Sequence, residues 1–257
     1  MDFGYTVAGF VVGTIVGLTG VGGGSLMTPL LVLAFGIHPA TAVGTDLLYA
    51  AITKAGGTVT HSLKGTVDWK ITGRLAAGSI PAAGLTLLAI SQLAPGGIGG
   101  ASKAISFALG FALLLTALAL IFRRRLQEFA HHHTTLSDKQ TGALTVLTGA
   151  VLGVLVSISS VGAGALGVTA LILLYPKLST VRIIGSDIAH AVPLTAVAGI
   201  GHWILGSVDW ILLGSLLLGS LPGITLGSHL SVKVPDRVLR PILATLLVVI
   251  GGKLIAH

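Results

Sequence analysis

Cysteine is absent from this chain, which removes disulfides, thiolate metal sites and thiol nucleophiles together. Charge is scarce: Asp, Glu, Lys and Arg make up 9% of the 257 residues, and only 8 of them are acidic. A water-soluble surface cannot be built from so few. Aromatics stand at 5%, and no interleaving of basic and aromatic residues marks a nucleic-acid module. The formal charge of +7 is therefore read as topology-setting charge facing anionic lipid, with no nucleic-acid partner. Also missing are a nucleophile elbow, a His-Glu-x-x-His helix and a phosphate-binding P-loop. Neither an enzyme nor a bound cofactor is expected.

What is present is apolar and small. Hydrophobic residues make up 53% of the chain, glycines number 37, and mean hydropathy is +0.97. Polarity does not alternate along the apolar runs, so a β-barrel fails and helices with small-residue packing faces remain. The first apolar run begins beside Asp2 rather than a basic flank, and is read as a retained segment rather than a cleaved leader. Breaks at Gly, Pro and charge clusters divide the chain into segments at 5–19, 25–35, 40–62, 69–90 and 103–122, then 141–158, 165–174, 180–205, 210–230 and 237–255. An all-α, polytopic membrane protein follows.

The two sets of five are copies. From Gly44 to Leu85 the chain realigns on Gly185 to Leu226 at an offset of 141, matching Asp46 with Asp187, His61 with His202, Val67-Asp68-Trp69 with Val208-Asp209-Trp210, Ser79 with Ser220 and Pro81 with Pro222. Upstream, at an offset of 140, Val21, Gly22 and Gly24 fall on Val161, Gly162 and Gly164. The expected organisation is repeat 1 over 1–122, a basic linker over 123–139 and repeat 2 over 140–257.

An odd number of crossings separates the copies, and the charges agree. The linker carries Arg123, Arg124, Arg125 and Lys139, so it is placed in the cytoplasm by the positive-inside rule. The turns holding Lys64, Lys177 and Lys233 fall on the same side, while the turns at 36–39, 91–100 and 206–209 hold no Lys or Arg. Equivalent turns thus carry opposite bias, and the repeats are read as inverted. The membrane is the cell inner (plasma) membrane. The first two segments of each repeat are read as a short or re-entrant hairpin, because about 15 and 11 residues in the first copy fall short of a hydrocarbon core of roughly 30 Å.

Two features point to a site. Glycine-rich hairpin tips, with Gly22, Gly23, Gly24 and Ser25 in one copy and Gly162 and Gly164 in the other, leave N–H groups at a helix N-terminus where the dipole favours an anion. Ionisable residues inside the third segment of each repeat are costly in a membrane and mark function by default. Copy one holds Thr45, Asp46, Tyr49 and Lys54; copy two holds Ser186, Asp187, His190 and Thr195. Lys54, facing the uncharged Thr195 across the duplication, is one cation in an otherwise symmetric site, which suits an anionic substrate. Asp187 and His190 share a helix face and can pair or pass a proton. The alternative for Asp46 and Asp187 is helix capping. For His61 and His202 it is an interfacial helix end. The duplicated Gly-x-Val-Asp-Trp is architectural: Gly ends a helix, Asp caps the next, and Trp sits in the interfacial belt. His131, His132 and His133 look like a metal tract but are placed in a polar loop without a thiol.

The glycine tip and short apolar arm, Ala42-Val43-Gly44-Thr45 opening a long helix, Gly65-Thr66-Val67-Asp68-Trp69, and a glycine-rich helix, all given twice, resemble the TauE/SafE family of sulfite exporters and related permeases. The resemblance covers essentially the whole chain. It implies a secondary transporter of sulfite, sulfate, thiosulfate or organosulfonate, coupled to protons. The family pattern usually continues Gly-Thr with Ser, where this chain has Asp46 and Asp187. The expected substrate contacts are Gly22, Gly23, Gly24, Ser25, Thr45, Lys54, Gly162, Gly164, Ser186 and Thr195; the expected proton carriers are Asp46, Asp187 and His190. No metal site is expected. The other functions open to these residues are a passive anion channel and a divalent-metal permease using His and Asp. Protons, lipid and a second copy of the chain are the candidate partners.

Overall fold

The computed structural model describes residues 3–19, 24–93, 100–133, 137–230 and 236–256. Among these, ten helices follow in two sets of five. The first set is α1 (Phe3–Thr19), α2 (Gly24–Leu33), α3 (Pro39–Leu63), α4 (Trp69–Leu93) and α5 (Ser102–His133). The second is α6 (Asp138–Ser159), α7 (Ala165–Leu174), α8 (Thr180–Ile204), α9 (Trp210–Leu230) and α10 (Asp236–Ala256).

Local chemistry sets the ends. Pro39 opens α3, where its missing N–H costs nothing. At the N-terminus of α6 the Ser137 hydroxyl and the Gln140 side chain form a capping box. Asp68 and Asp209 precede α4 and α9 and accept from first-turn N–H groups, Asp68 from Lys70 and Ile71 at 3.1 and 3.3 Å, Asp209 from Ile211 and Leu212 at 2.9 Å each. Gly65 and Gly206, at φ +63° and +74°, supply the left-handed residue that ends α3 and α8. The duplicated Gly-x-Val-Asp-Trp is thus a helix stop followed by a helix start.

Five helices, α4, α5, α6, α8 and α9, are long and apolar enough to cross a membrane. α3 matches α8 in length, at 25 residues each, but carries Asp46, Lys54, His61 and paired glycines, and falls outside that count. α2 and α7, at 10 residues each, reach about 15 Å, half a hydrocarbon core. α6 differs from the expected short arm. Its capping box starts it at Asp138, so at 22 residues it is long enough to span, and in the second copy only α7 is short. α5 also outruns expectation. It continues through Arg123, Arg124 and Arg125 to His133, so the His tract lies on helical backbone, not in a loop. Among the described residues no group of three His, Asp or Glu converges to hold a metal.

The arms of each expected hairpin do not pack mainly on each other. α1 lies along α9 and α6 along α4, while α3 packs on α8 and α5 on α10. Small residues permit the first two pairings. A methyl placed on Gly9 would run into the Leu216 carbonyl, and one on Gly149 into that of Leu75; Gly13 with Ser220 and Gly153 with Ser79 repeat the relation one turn on. Backbones this close are the membrane form of helix packing, where dispersion and shape replace the hydrophobic drive. The short arms α2 and α7 are enclosed, with Met27, Leu31 and Leu171 fully buried, while α1, α5 and α6 turn Phe3, Phe107 and Leu147 outward.

Candidate functional site

The third helix of each set carries the ionisable residues, and the α3–α8 pairing brings both sets together. Asp46, Asp187 and His190 are fully buried, at no more than 1% exposure. Neither carboxylate caps a helix: α3 begins after His38 and α8 after Ser179, a full turn or more upstream. Asp46 Oδ2 accepts from the Thr28 hydroxyl of α2, and Ser160, from the turn before α7, lies beside the same carboxylate.

That turn, 160–164, is the centre of the arrangement. Ser160, Gly162 and Gly164 have φ of +58°, +127° and +130°, so the chain reverses through conformations that only glycine adopts freely at the last two. α7 then starts without a side-chain cap, leaving the positive end of its dipole toward the cluster. The Gly164 N–H faces the Asp187 carboxylate. The Lys54 ammonium, from the middle of α3, donates to the Ala163 carbonyl at 3.0 Å and lies within electrostatic reach of both Asp46 and Asp187.

His190 does not pair with Asp187. Its Nε2 meets the Ser79 hydroxyl of α4 at 2.8 Å. The equivalent residues in the other copy are Tyr49 and Ser220, but Tyr49 Oη has no hydrogen-bond partner among the described residues and the Ser220 hydroxyl donates to the Leu217 carbonyl at 3.4 Å. Buried without a hydrogen-bond partner among the described residues are Asp46 Oδ1, Asp187 Oδ1 and His190 Nδ1, together with Tyr49 Oη, Ser160 Oγ and His202 Nδ1. Buried polar atoms are normally satisfied, so the group around Asp46, Asp187 and His190 marks a place where a proton, water or ligand completes the bonding. His202 is likewise fully buried, with Nε2 on the Ser157 carbonyl at 2.8 Å; it joins α8 to α6 rather than sitting at an interface.

The other expected contacts are distributed as follows. Thr45 and Ser186 stand at a joint between the two sets: the Thr45 hydroxyl accepts from the Asp209 N–H at 3.1 Å, and the Ser186 hydroxyl from the Asp68 N–H at 2.8 Å. Thr195 is buried and returns its hydroxyl to the Ala191 carbonyl at 2.8 Å. Ser25 is buried in the first turn of α2, which Gly24 begins; Gly22 and Gly23 lie outside the described residues. Two partners, Thr28 and Ser79, and one neighbour of Asp46, Ser160, were not singled out from sequence. Ser79 and Ser160 did carry a signal, one in the duplicated Gly-Ser-x-Pro motif and one in the second tip.

A half-buried cation, two fully buried carboxylates and a positive-φ turn inside an all-helical membrane bundle are what a transport site needs. The family model described as Sulfite exporter TauE/SafE matches residues 5–254. The chain belongs to the TauE/SafE sulfite exporter family. It is 42% identical to the probable membrane transporter protein YjnA of Bacillus subtilis (strain 168) over 99% of this chain and 100% of that one. It is 30% identical to the probable membrane transporter protein YdhB of the same organism over 81% of each chain. A probable membrane transporter protein of Xylella fastidiosa (strain Temecula1 / ATCC 700964) is 26% identical over 80% of this chain and 75% of its own. No solved structure matches. Family and helices together make this TauE/SafE protein a multi-pass membrane transporter.

Proposed function

We propose that the protein carries a small sulfur oxyanion, such as sulfite, sulfate, thiosulfate or an organosulfonate, across the cell inner membrane together with protons. The observation that carries this reading is the cluster between α3, α8 and the turn 160–164, where the half-buried Lys54 reaches toward the fully buried Asp46 and Asp187. Lys54 is the cation for the anion, and the Gly162 and Gly164 region with the α7 N-terminus supplies further N–H donors. Gly24, Ser25 and the outlying Gly22 and Gly23 are the equivalent elements of the other copy.

Charge arithmetic makes protons part of the mechanism. One ammonium and two ionised carboxylates already carry a net negative charge, and an oxyanion added among them meets repulsion in a medium that screens poorly. The oxyanion is accommodated when Asp46, Asp187 or both take up protons. Lys54 then exchanges the Ala163 carbonyl for the substrate. His190, with Nδ1 unpartnered and Nε2 held by Ser79, is placed to relay protons near Asp187. On the far side the carboxyls release their protons, the charge turns repulsive, and the anion leaves.

Alternating access follows from two inverted repeats moving against each other. Reciprocal contacts support this organisation: Thr45 to Asp209 and Ser186 to Asp68 exchange under the 141-residue offset, and Gly9 to Leu216 and Gly149 to Leu75 exchange with the glycines at the upstream offset of 140 and the leucines at 141. The basic linker between the repeats is cytoplasmic, with Arg123, Arg124, Arg125 and Lys139 as its anchors. The test is flux of sulfite and sulfate in proteoliposomes under an imposed pH gradient. Flux that saturates and follows the gradient supports proton-coupled transport; flux that neither saturates nor responds to pH means a passive channel.

A further inference from the structure

A second polar constellation lies away from the Lys54 cluster. A cavity of about 440 Å³ opens where α4, α6 and the 174–178 turn meet, lined by Asp68, Lys70, Arg74, Asp138, Tyr175 and Lys177 among others. On the loop-charge argument this is the cytoplasmic end. Asp138 sits between two of its cations, with Oδ2 3.3 Å from Lys70 Nζ and 3.2 Å from the Arg74 guanidinium. Arg74 also donates to the Tyr175 hydroxyl at 3.3 Å, which meets the Thr145 hydroxyl at 2.8 Å. Asp68 is drawn to Arg182 at 3.6 Å. Lys177 makes no ion pair among the described residues.

The fold does not require these groups. Under the repeat offsets Lys70, Arg74, Thr145 and Tyr175 correspond to Ile211, Ser215, Tyr5 and Phe35. At that end the same architecture closes on an aromatic contact, with Tyr5 and Phe35 rings 5.0 Å apart. One end of the molecule therefore carries cations that its pseudo-equivalent end does without. The Asp138 carboxylate shows what they hold: an oxyanion bridging an ammonium and a guanidinium fork. Asp138 itself is weakly held, since its side chain is 71% exposed and water screens the pair.

We propose that this cavity is a second oxyanion site at the mouth of the transport path, where Lys70, Arg74 and Lys177 take a small divalent oxyanion from solution and Asp138 occupies the seat when none is bound. The ligand class rests on the transport reading; the site rests on the cavity and its cations. Arriving substrate displaces the Asp138 carboxylate, and its local concentration rises next to the path inward.

The test separates the two sites by binding rather than flux. Sulfate is titrated at constant ionic strength, with chloride as the control, into the purified Lys54→Ala protein in neutral detergent, and the shift in melting midpoint is read. Saturable stabilisation is expected to persist there, to weaken about tenfold on adding Arg74→Gln or Lys177→Gln, and to strengthen several-fold on adding Asp138→Asn. Lys177 has no ion pair to lose, so its variant covers the case in which Arg74→Gln fails to fold. Sulfate affinity unchanged by Lys177→Gln, or no sulfate binding at all to Lys54→Ala, overturns the proposal. Nanodiscs address the other source of the same chemistry. Equal sulfate affinity in phosphatidylcholine and in phosphatidylglycerol supports a site for the free anion, whereas sulfate excluded by phosphatidylglycerol gives the seat to a lipid phosphate and overturns it. Sulfate binding to Lys54→Ala without flux of any sulfur oxyanion in the wild type leaves this site standing and removes the transport reading instead.

Discussion

The ammonium of Lys54 donates to the carbonyl of Ala163 at 3.0 Å, tying the middle of α3 to the turn before α7. A positive charge inside a membrane bundle is held by a backbone oxygen, a partner that a stronger acceptor can replace. The same contact couples the cation to the segment that must move if the site opens.

Lys54→Ala is expected to lower oxyanion flux by about ten- to a hundredfold, because it removes the charge-assisted donor for the anion, worth about 1.5–3 kcal/mol. Lys54→Arg keeps charge but not shape, and retains partial flux with altered preference among oxyanions. Radiolabelled sulfate uptake into proteoliposomes checks both. Wild-type flux in Lys54→Ala would remove Lys54 from the substrate path.

Asp46 and Asp187 are expected to separate transport from its driving force. Asn at either position is uncharged whatever the pH, so the site no longer loads and discharges by titration. Exchange of oxyanion at equal concentrations on both sides persists in Asp187→Asn, while accumulation against a gradient driven by protons is lost. For the wild type the sign is fixed: uptake rises as the pH falls on the side from which the anion enters. A stopped-flow assay with an internal pH dye reads the accompanying protons; unchanged proton flux in both Asn variants would exclude these carboxyls as carriers.

How much of this was legible in sequence depends on the kind of signal. The helices were legible because Gly65, Asp68, Gly206 and Asp209 punctuate the chain by local chemistry, and the duplication because Asp46 and Asp187 recur at one offset. α6 begins three residues before the apolar segment 141–158, since the capping box at Ser137 and Gln140 lies in polar sequence where hydropathy gives no signal. The site was legible only as a list of polar residues in apolar helices. Burial says that each hydroxyl needs a partner; it does not say which. Thr45 and Ser186 found backbone N–H groups across the duplication, Ser79 found His190 across 111 positions, and Lys54 found a carbonyl, a group every residue carries. Pairings of that sort belong to tertiary packing, not to spacing.

Ser79→Ala is expected to leave His190 Nε2 buried without a partner, beside an Nδ1 that already lacks one. Such a loss costs about 1–3 kcal/mol, and the imidazole either turns toward Asp187 or admits water. A fall in melting midpoint with a changed pH profile of transport is the expected result. A structural role alone gives the fall without the change in profile. Ser220→Ala at the equivalent position, where the hydroxyl only returns to the Leu217 carbonyl at 3.4 Å, lowers the midpoint less and leaves the pH profile as it was.

The last prediction concerns the helix crossings on which any rocking motion depends. Gly9 and Gly149 occupy equivalent positions, and a methyl at either meets a backbone carbonyl, of Leu216 or Leu75, that cannot rotate away. Gly9→Ala and Gly149→Ala should each destabilise by about 1–3 kcal/mol, the usual cost of overpacking, and by similar amounts, because the two crossings are built alike. Gly73 and Gly214, also equivalent, have nothing within 4 Å of an added methyl. Alanine there adds helix propensity at no steric cost and is neutral or slightly stabilising. Melting midpoints of the four purified variants decide the matter. If Gly73→Ala lowered the midpoint as much as Gly149→Ala, close backbone approach would not be what holds α6 to α4.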